Sequence, residues 1–202
     1  MRNTSQEEIA ATAARLIVEE GLEYGPAKRR AVRELGLNAR SALPSNELIE
    51  EAVVEYVAIF CADTQPLELA ALRSLALLWM LRLPEFRPHL SGAVWRGTAT
   101  RLSDIYIQLF CDDSKSAELR LIDQGVRYEV SSVNGFKGET VDALSVRSRC
   151  NVLNEELGVH FMVYDYDDLR GALQPDDKGR AWRGNTEAVR RLVDSVDARI
   201  ST

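Results

Sequence analysis

Histidine is nearly absent from this chain of 202 residues, which has only His89 and His160. That excludes a zinc centre built mainly from imidazoles. Cysteine is scarce too: Cys61, Cys111 and Cys150 are odd in number, widely spaced and form no C-x-x-C pair. A disulfide framework is therefore excluded, and three reduced thiols are expected. No apolar run has the length and purity of a membrane span. The richest stretch, Leu67 to Leu83, contains Glu68, Arg73 and Arg82 and reads as a buried amphipathic helix. The N-terminus turns acidic at Glu7 and has no apolar leader core, so a cytoplasmic protein is expected. An excess of basic charge is also missing, with 25 Lys and Arg against 31 Asp and Glu, a net charge of −6. A domain that mainly coats duplex nucleic acid needs the opposite balance. A nucleotide carried with Mg²⁺ remains compatible, because the metal reverses the local charge. No G-x-x-x-x-G-K-[ST] loop, G-x-G-x-x-G turn or G-x-S-x-G elbow occurs, which removes the enzyme classes built on them.

What is present is enough apolar surface, 46% of residues, to offset ordering entropy in a globular fold. The first third reads as helices. Apolar residues recur at helical spacing from Ile9 to Ile17, and Gly21 is a plausible stop. Pro26 opens a second helix that Gly36 closes. Pro44-Ser45-Asn46 opens a third, and Pro66 a fourth that stops before Pro84. After Pro88 the pattern changes. Asp104 to Phe110 alternates with period two and reads as a strand. Asp113 to Gln124 reads as a helix. Val126 to Val133, Glu139 to Val146 and Gly158 to Tyr166 read as strands, Gln174 to Gly179 as a polar loop, and Asn185 as the cap of a last helix. The expectation is an α+β fold: a helical N-terminal segment over residues 1–64, then a mixed β-sheet with flanking helices over residues 65–202.

One stretch carries chemistry. Gly92-Ala93 is followed by ten residues, Val94 to Ser103, and then by Asp104-x-Tyr106 on a strand, with Arg96-Gly97 and Ala99 between. This resembles the signature of the DNA polymerase β-like nucleotidyltransferase superfamily, especially its minimal bacterial members: Gly-Ser, ten residues, Asp-x-Asp. A glycine at such a turn lets backbone amides approach phosphate closely. Two carboxylates at i and i+2 of a strand share one face. With a third carboxylate from a neighbouring strand they hold two Mg²⁺ ions for in-line phosphoryl transfer.

The resemblance covers about half the chain and implies a nucleotidyltransferase-like sheet. It implies transfer of a nucleoside monophosphate from an NTP, ATP foremost, to a hydroxyl with Mg²⁺. Asp104 and Asp142 are the catalytic and metal-ligand candidates, the latter in Val141-Asp142-Ala143-Leu144. Gly92, Ala93, Arg96, Gly97, Ser103 and Tyr106 are the nucleotide-binding candidates. His160, on the following strand, competes with Asp142 for the third place and would not serve as a Mg²⁺ ligand.

The sequence departs from the signature at two places. Ala93 stands for the serine and loses a phosphate-binding hydroxyl. Tyr106 stands for the second aspartate, and a phenol with an ordinary pKa of about 10 is a poor ligand for a hard dication. These departures motivate a second expectation: a catalytically degenerate member that binds a nucleotide or a protein partner, the N-terminal helices offering the surface for a partner or a second copy. No membrane partner is expected. Nucleic acid stays open, since Lys28, Arg29, Arg30 and Arg33 either meet it or form a solvated helix face. Trp95 and Tyr106 either stack a base or fill space.

Overall fold

The computed structural model describes residues 4–175 and 179–200. Part of the polar loop read between Gln174 and Gly179, residues 176–178, lies outside the described residues. Two compact units emerge. The first holds residues 1–68 and 98–103; the second holds residues 69–97 and 104–202.

The first unit contains α1 (Thr4–Glu20), α2 (Tyr24–Glu34), α3 (Asn46–Phe60) and the opening turn of α4 (Gln65–Arg82). Alanines on facing helices, Ala13, Ala14, Ala27 and Ala31, are fully buried beside Leu16 and Ile49. Their small side chains let the helices approach closely. Ser45 caps α3, its side chain accepting from Leu48 N–H at 3.2 Å. Gly36 takes φ +65° after α2, the left-handed conformation that suits glycine. The basic face of α2 is partly committed: Arg30 pairs with Glu20 and Glu34, and Lys28 Nζ donates to Asn46 at 2.7 Å. The segment 98–103 belongs to this unit. Gln65 Nε2 donates to Ala99 O at 2.9 Å, and Glu68 accepts from Arg101 N–H at 2.9 Å.

The second unit is a mixed sheet. Its strands are β1 (His89–Ser91), β2 (Ile105–Cys111), β3 (Glu129–Asn134), β4 (Thr140–Cys150), β5 (Glu155–Asp165) and β6 (Arg183–Asn185). Their order is β3-β4-β5-β2-β1-β6. Only β2 and β5 run parallel; the other neighbours are antiparallel. Helices α5 (Gly92–Arg96), α6 (Ser114–Asp123), α7 (Asp168–Ala172) and α8 (Thr186–Ile200) complete it. Among the described residues this makes eight α-helices with a six-stranded sheet, in keeping with an α+β fold. Among the described residues no helix is long and apolar enough to cross a membrane.

Alternation along the strands gives the sheet two faces. One is apolar: Leu90, Ile105, Ile107, Val159, Phe161 and Leu144 are buried. Trp79 of α4 meets Phe161 edge to face, with centroids 5.5 Å apart. The other face is divided along its length. At one end Phe110, Val141, Tyr164 and Ala172 cluster with Phe136 and Leu169. At the other end the side chains are polar, and the candidate residues lie there.

Candidate functional site

Strand register decides which candidates meet. Asp104 immediately precedes β2, and Gly158 N–H donates to its Oδ1 at 3.1 Å. Tyr106 stands opposite His160 in the parallel β2–β5 pair. Their rings stack, with centroids 5.0 Å apart and 24° between planes. His160 stands opposite Ser145 in the antiparallel β5–β4 pair. Three strands thus align Tyr106, His160 and Ser145 in one row on one face.

His160 is bonded through both ring nitrogens. Nε2 lies 3.1 Å from Asp104 Oδ2, and Nδ1 lies 2.8 Å from Ser145 Oγ. The hydrogen bond with His160 is the largest influence on Asp104 and holds its carboxyl below the usual carboxylate range. Burial opposes this, while the His160 charge, the Gly158 N–H and the Arg147 charge assist it. A depressed folded-state pKa stabilises the fold above the unfolded value, and the benefit is lost as pH falls through the folded value. Asp104→Asn is therefore expected to flatten the acid limb of stability below about pH 4, read as the urea midpoint against pH. An unchanged acid limb would show that the pairing does not bear on folding.

Asp142 does not join Asp104. It stands opposite Val163 on β5, five strand positions beyond the level of Gly158, a separation of about 17 Å along the strand. Alternation also turns it to the opposite face from Ser145. It lines a separate cavity of about 470 Å³ with Asp112, Asp113, Asp165 and Asp168. The expectation that Asp104 and Asp142 share a metal is thereby corrected: β5, not β4, is the neighbour of β2. The neighbouring-strand side chain beside Asp104 is that of His160. One carboxylate, one phenol and one imidazole do not fit the oxygen-rich shell that Mg²⁺ requires. Among the described residues no group of three His, Cys, Asp or Glu is placed to hold a metal ion.

The glycine turn is held from beneath. Gly92 takes φ +67°, and a Cβ there would lie 3.6 Å from the Tyr106 ring. Ala93 O accepts from Gly97 N–H at 2.9 Å, closing α5. Arg73 reaches across from α4, its Nε donating to Val94 O at 3.1 Å and its Nη2 to Trp95 O at 3.2 Å. Arg96 lies with its guanidinium carbon 5.9 Å from the Trp182 ring centroid. Trp95 is a packing residue: its Nε1 donates to Ala181 O at 2.7 Å. Ser103 belongs to the first unit, where its Oγ accepts from Thr100 N–H at 3.0 Å. Gly92 and Tyr106 are thus brought together, and Ala93, Arg96 and Gly97 follow in the same short helix and its cap.

Sequence reading missed Ser145 and Arg73. Arg73 carried no signal beyond its helical position. Ser145 did have one. The turn at residues 151–154 joins β4 to β5, and antiparallel pairing out from that turn brings Ser145 opposite His160. Ending β4 at Val146 and starting β5 at Gly158 hid the hairpin.

Comparisons with protein-family models, with curated proteins and with solved structures find no match to this chain.

Proposed function

We propose that this chain is a catalytically degenerate nucleotidyltransferase-fold protein, a cytoplasmic module that binds a nucleotide without metal-assisted transfer. One observation carries the reading: where the two-metal chemistry needs carboxylates, Asp104 is accompanied by Tyr106 and His160, stacked on each other. The strand arrangement supports the fold assignment. The glycine turn leaves β1, which pairs with β2, and β2 pairs on its other side with β5. The nucleotide, ATP foremost, would lie over Gly92 to Gly97, with Arg96 toward its phosphates and the Tyr106 ring beneath. A protein partner or a second copy would be received on the N-terminal helices, where Ile59 and Phe60 are 70% and 67% exposed.

Calorimetric titration with ATP, with and without Mg²⁺, tests this. The expected result is binding that Mg²⁺ does not alter and that Asp104→Asn retains. Binding that needs Mg²⁺ and disappears in Asp104→Asn overturns it in favour of nucleoside monophosphate transfer to a hydroxyl. A companion experiment concerns the altered position. Tyr106→Asp restores a second carboxylate on the same strand face and is expected to raise Mg²⁺ affinity. An unchanged affinity counts against the assignment of this site.

A further inference from the structure

Ser145 lines a cavity of about 870 Å³ in the second unit, larger than the one at Asp142; its walls include Trp79, Arg82, Arg127, Arg147 and His160. The cavity lies where β3 stops pairing with β4, at Glu129 opposite Ser145. A serine beside a histidine across two strands is by itself only a packing pair. Here the second nitrogen of the ring is fixed as well, by the Asp104 carboxylate, whose Oδ2 lies 3.1 Å from it. An ionised carboxylate only accepts hydrogen bonds. In neutral His160 the proton therefore sits on Nε2, and the bare Nδ1 accepts the Ser145 O–H. A nucleophile in contact with a base, itself oriented by a third group, is the arrangement that activates a hydroxyl.

We infer that Ser145 is the nucleophile of an esterase site, with His160 as general base, Asp104 as its positioning residue, and a carboxylic ester carrying a negative charge as substrate. The charge preference follows from the walls. Three arginines, Arg82, Arg127 and Arg147, line the cavity beside two glutamates, Glu129 and Glu156. Arg82 is held against the Trp79 ring at 4.2 Å, and its Nε donates to Gln124 Oε1 at 3.1 Å. Arg147 Nη2 donates to Glu156 O at 2.9 Å.

The reaction needs no co-reactant beyond water. Ser145 Oγ attacks the ester carbonyl carbon while its proton passes to His160 Nδ1. The bond between the carbonyl carbon and the leaving oxygen breaks, and that oxygen takes the proton as the alcohol departs. Water then attacks the acyl-serine by the same proton route, releasing the acid and restoring Ser145. The inference does not rest on nucleotide binding, and its test reads a covalent adduct rather than a nucleotide.

The full chain is treated with a fluorophosphonate probe and the adduct is located by peptide mass spectrometry. Labelling of Ser145 is expected, with fluoride displaced. Ser145→Ala should lose it, and His160→Gln should slow it about a hundredfold. No adduct at Ser145 in the folded protein, or equal labelling in His160→Gln, overturns the inference. A second measurement does not depend on His160→Gln folding. In Ser145→Cys, position 145 should be alkylated by iodoacetamide faster than Cys61, Cys111 and Cys150; a slower rate overturns the base assignment. Turnover is read with 4-nitrophenyl succinate against neutral 4-nitrophenyl acetate. Asp104→Asn should lower kcat at unchanged KM, as a positioning residue does. Equal KM for the two esters overturns the assignment of an anionic substrate.

Discussion

Phe161→Ala is expected to destabilise the second unit by about 3–5 kcal/mol, a large share of the stability of an ordinary domain. Phe161 is fully buried on β5, whose two neighbours are β2 and β4. Removing the ring costs its transfer free energy and leaves a cavity that strands fixed on both sides cannot close. The Trp79 indole loses its edge-to-face partner, a contact worth about 0.5–1.5 kcal/mol beyond burial. Trp79 also donates from Nε1 to Ser148 Oγ at 2.9 Å, so its loosening would reach the wall of the larger cavity. Urea unfolding followed by tryptophan fluorescence measures the effect. A loss below about 1 kcal/mol would mean that the sheet and α4 are not packed through this ring.

The second large effect is expected at a glycine. Gly184 is buried on β6, opposite Leu90 of β1. A Cβ there would lie 2.0 Å from Cζ3 and 2.3 Å from Cη2 of Trp95. The ring cannot turn aside without giving up its bond to Ala181 O. Gly184→Ala is therefore expected to cost about 1–3 kcal/mol by overpacking and to displace α5, the segment proposed to receive the nucleotide. Trp95→Leu combined with Gly184→Ala should recover part of the loss, because Trp95→Leu removes the ring that the new Cβ would meet. Strict additivity of the two changes in urea unfolding would show that the contact is not the cause.

Much of the fold was legible because the chain is punctuated. Gly21, Gly36, Ser45 and Pro84 bracket helices whose apolar spacing is regular, and Asn185 does cap α8, accepting from Ala188 N–H at 2.9 Å. A period-two run revealed β2, and strand-like runs marked β3, β4 and β5. The shorter elements were not legible. Gly92 to Arg96 is five residues, too few for a helical period to register. Arg183 to Asn185 is three, and its central glycine carries no strand preference. At the candidate site, the resemblance to a nucleotidyltransferase signature singled out Asp104, Tyr106 and the glycine turn. It could not say which later strand lies beside β2. Val141-Asp142-Ala143-Leu144 is a buried strand pattern that fits either place, and only sheet order separates it from Asp104. Chemistry that depends on side chains meeting across strands is a property of register, which local pattern does not contain.

The first unit is discontinuous in sequence, and this bears on synthesis. Its helices are complete by residue 68, but Ala99 is fully buried and accepts from Gln65, and Gly21 lies against Leu102. A nascent chain cannot finish this unit until residue 103 has left the ribosome, after all of β1 and the glycine turn. For about thirty residues of translation the three-helix core waits with part of its surface uncovered, and β1 waits for β2. The first unit therefore closes as residue 103 emerges, well before β5 and β6 of the second unit have been made, and a fragment ending before residue 98 leaves both unfinished.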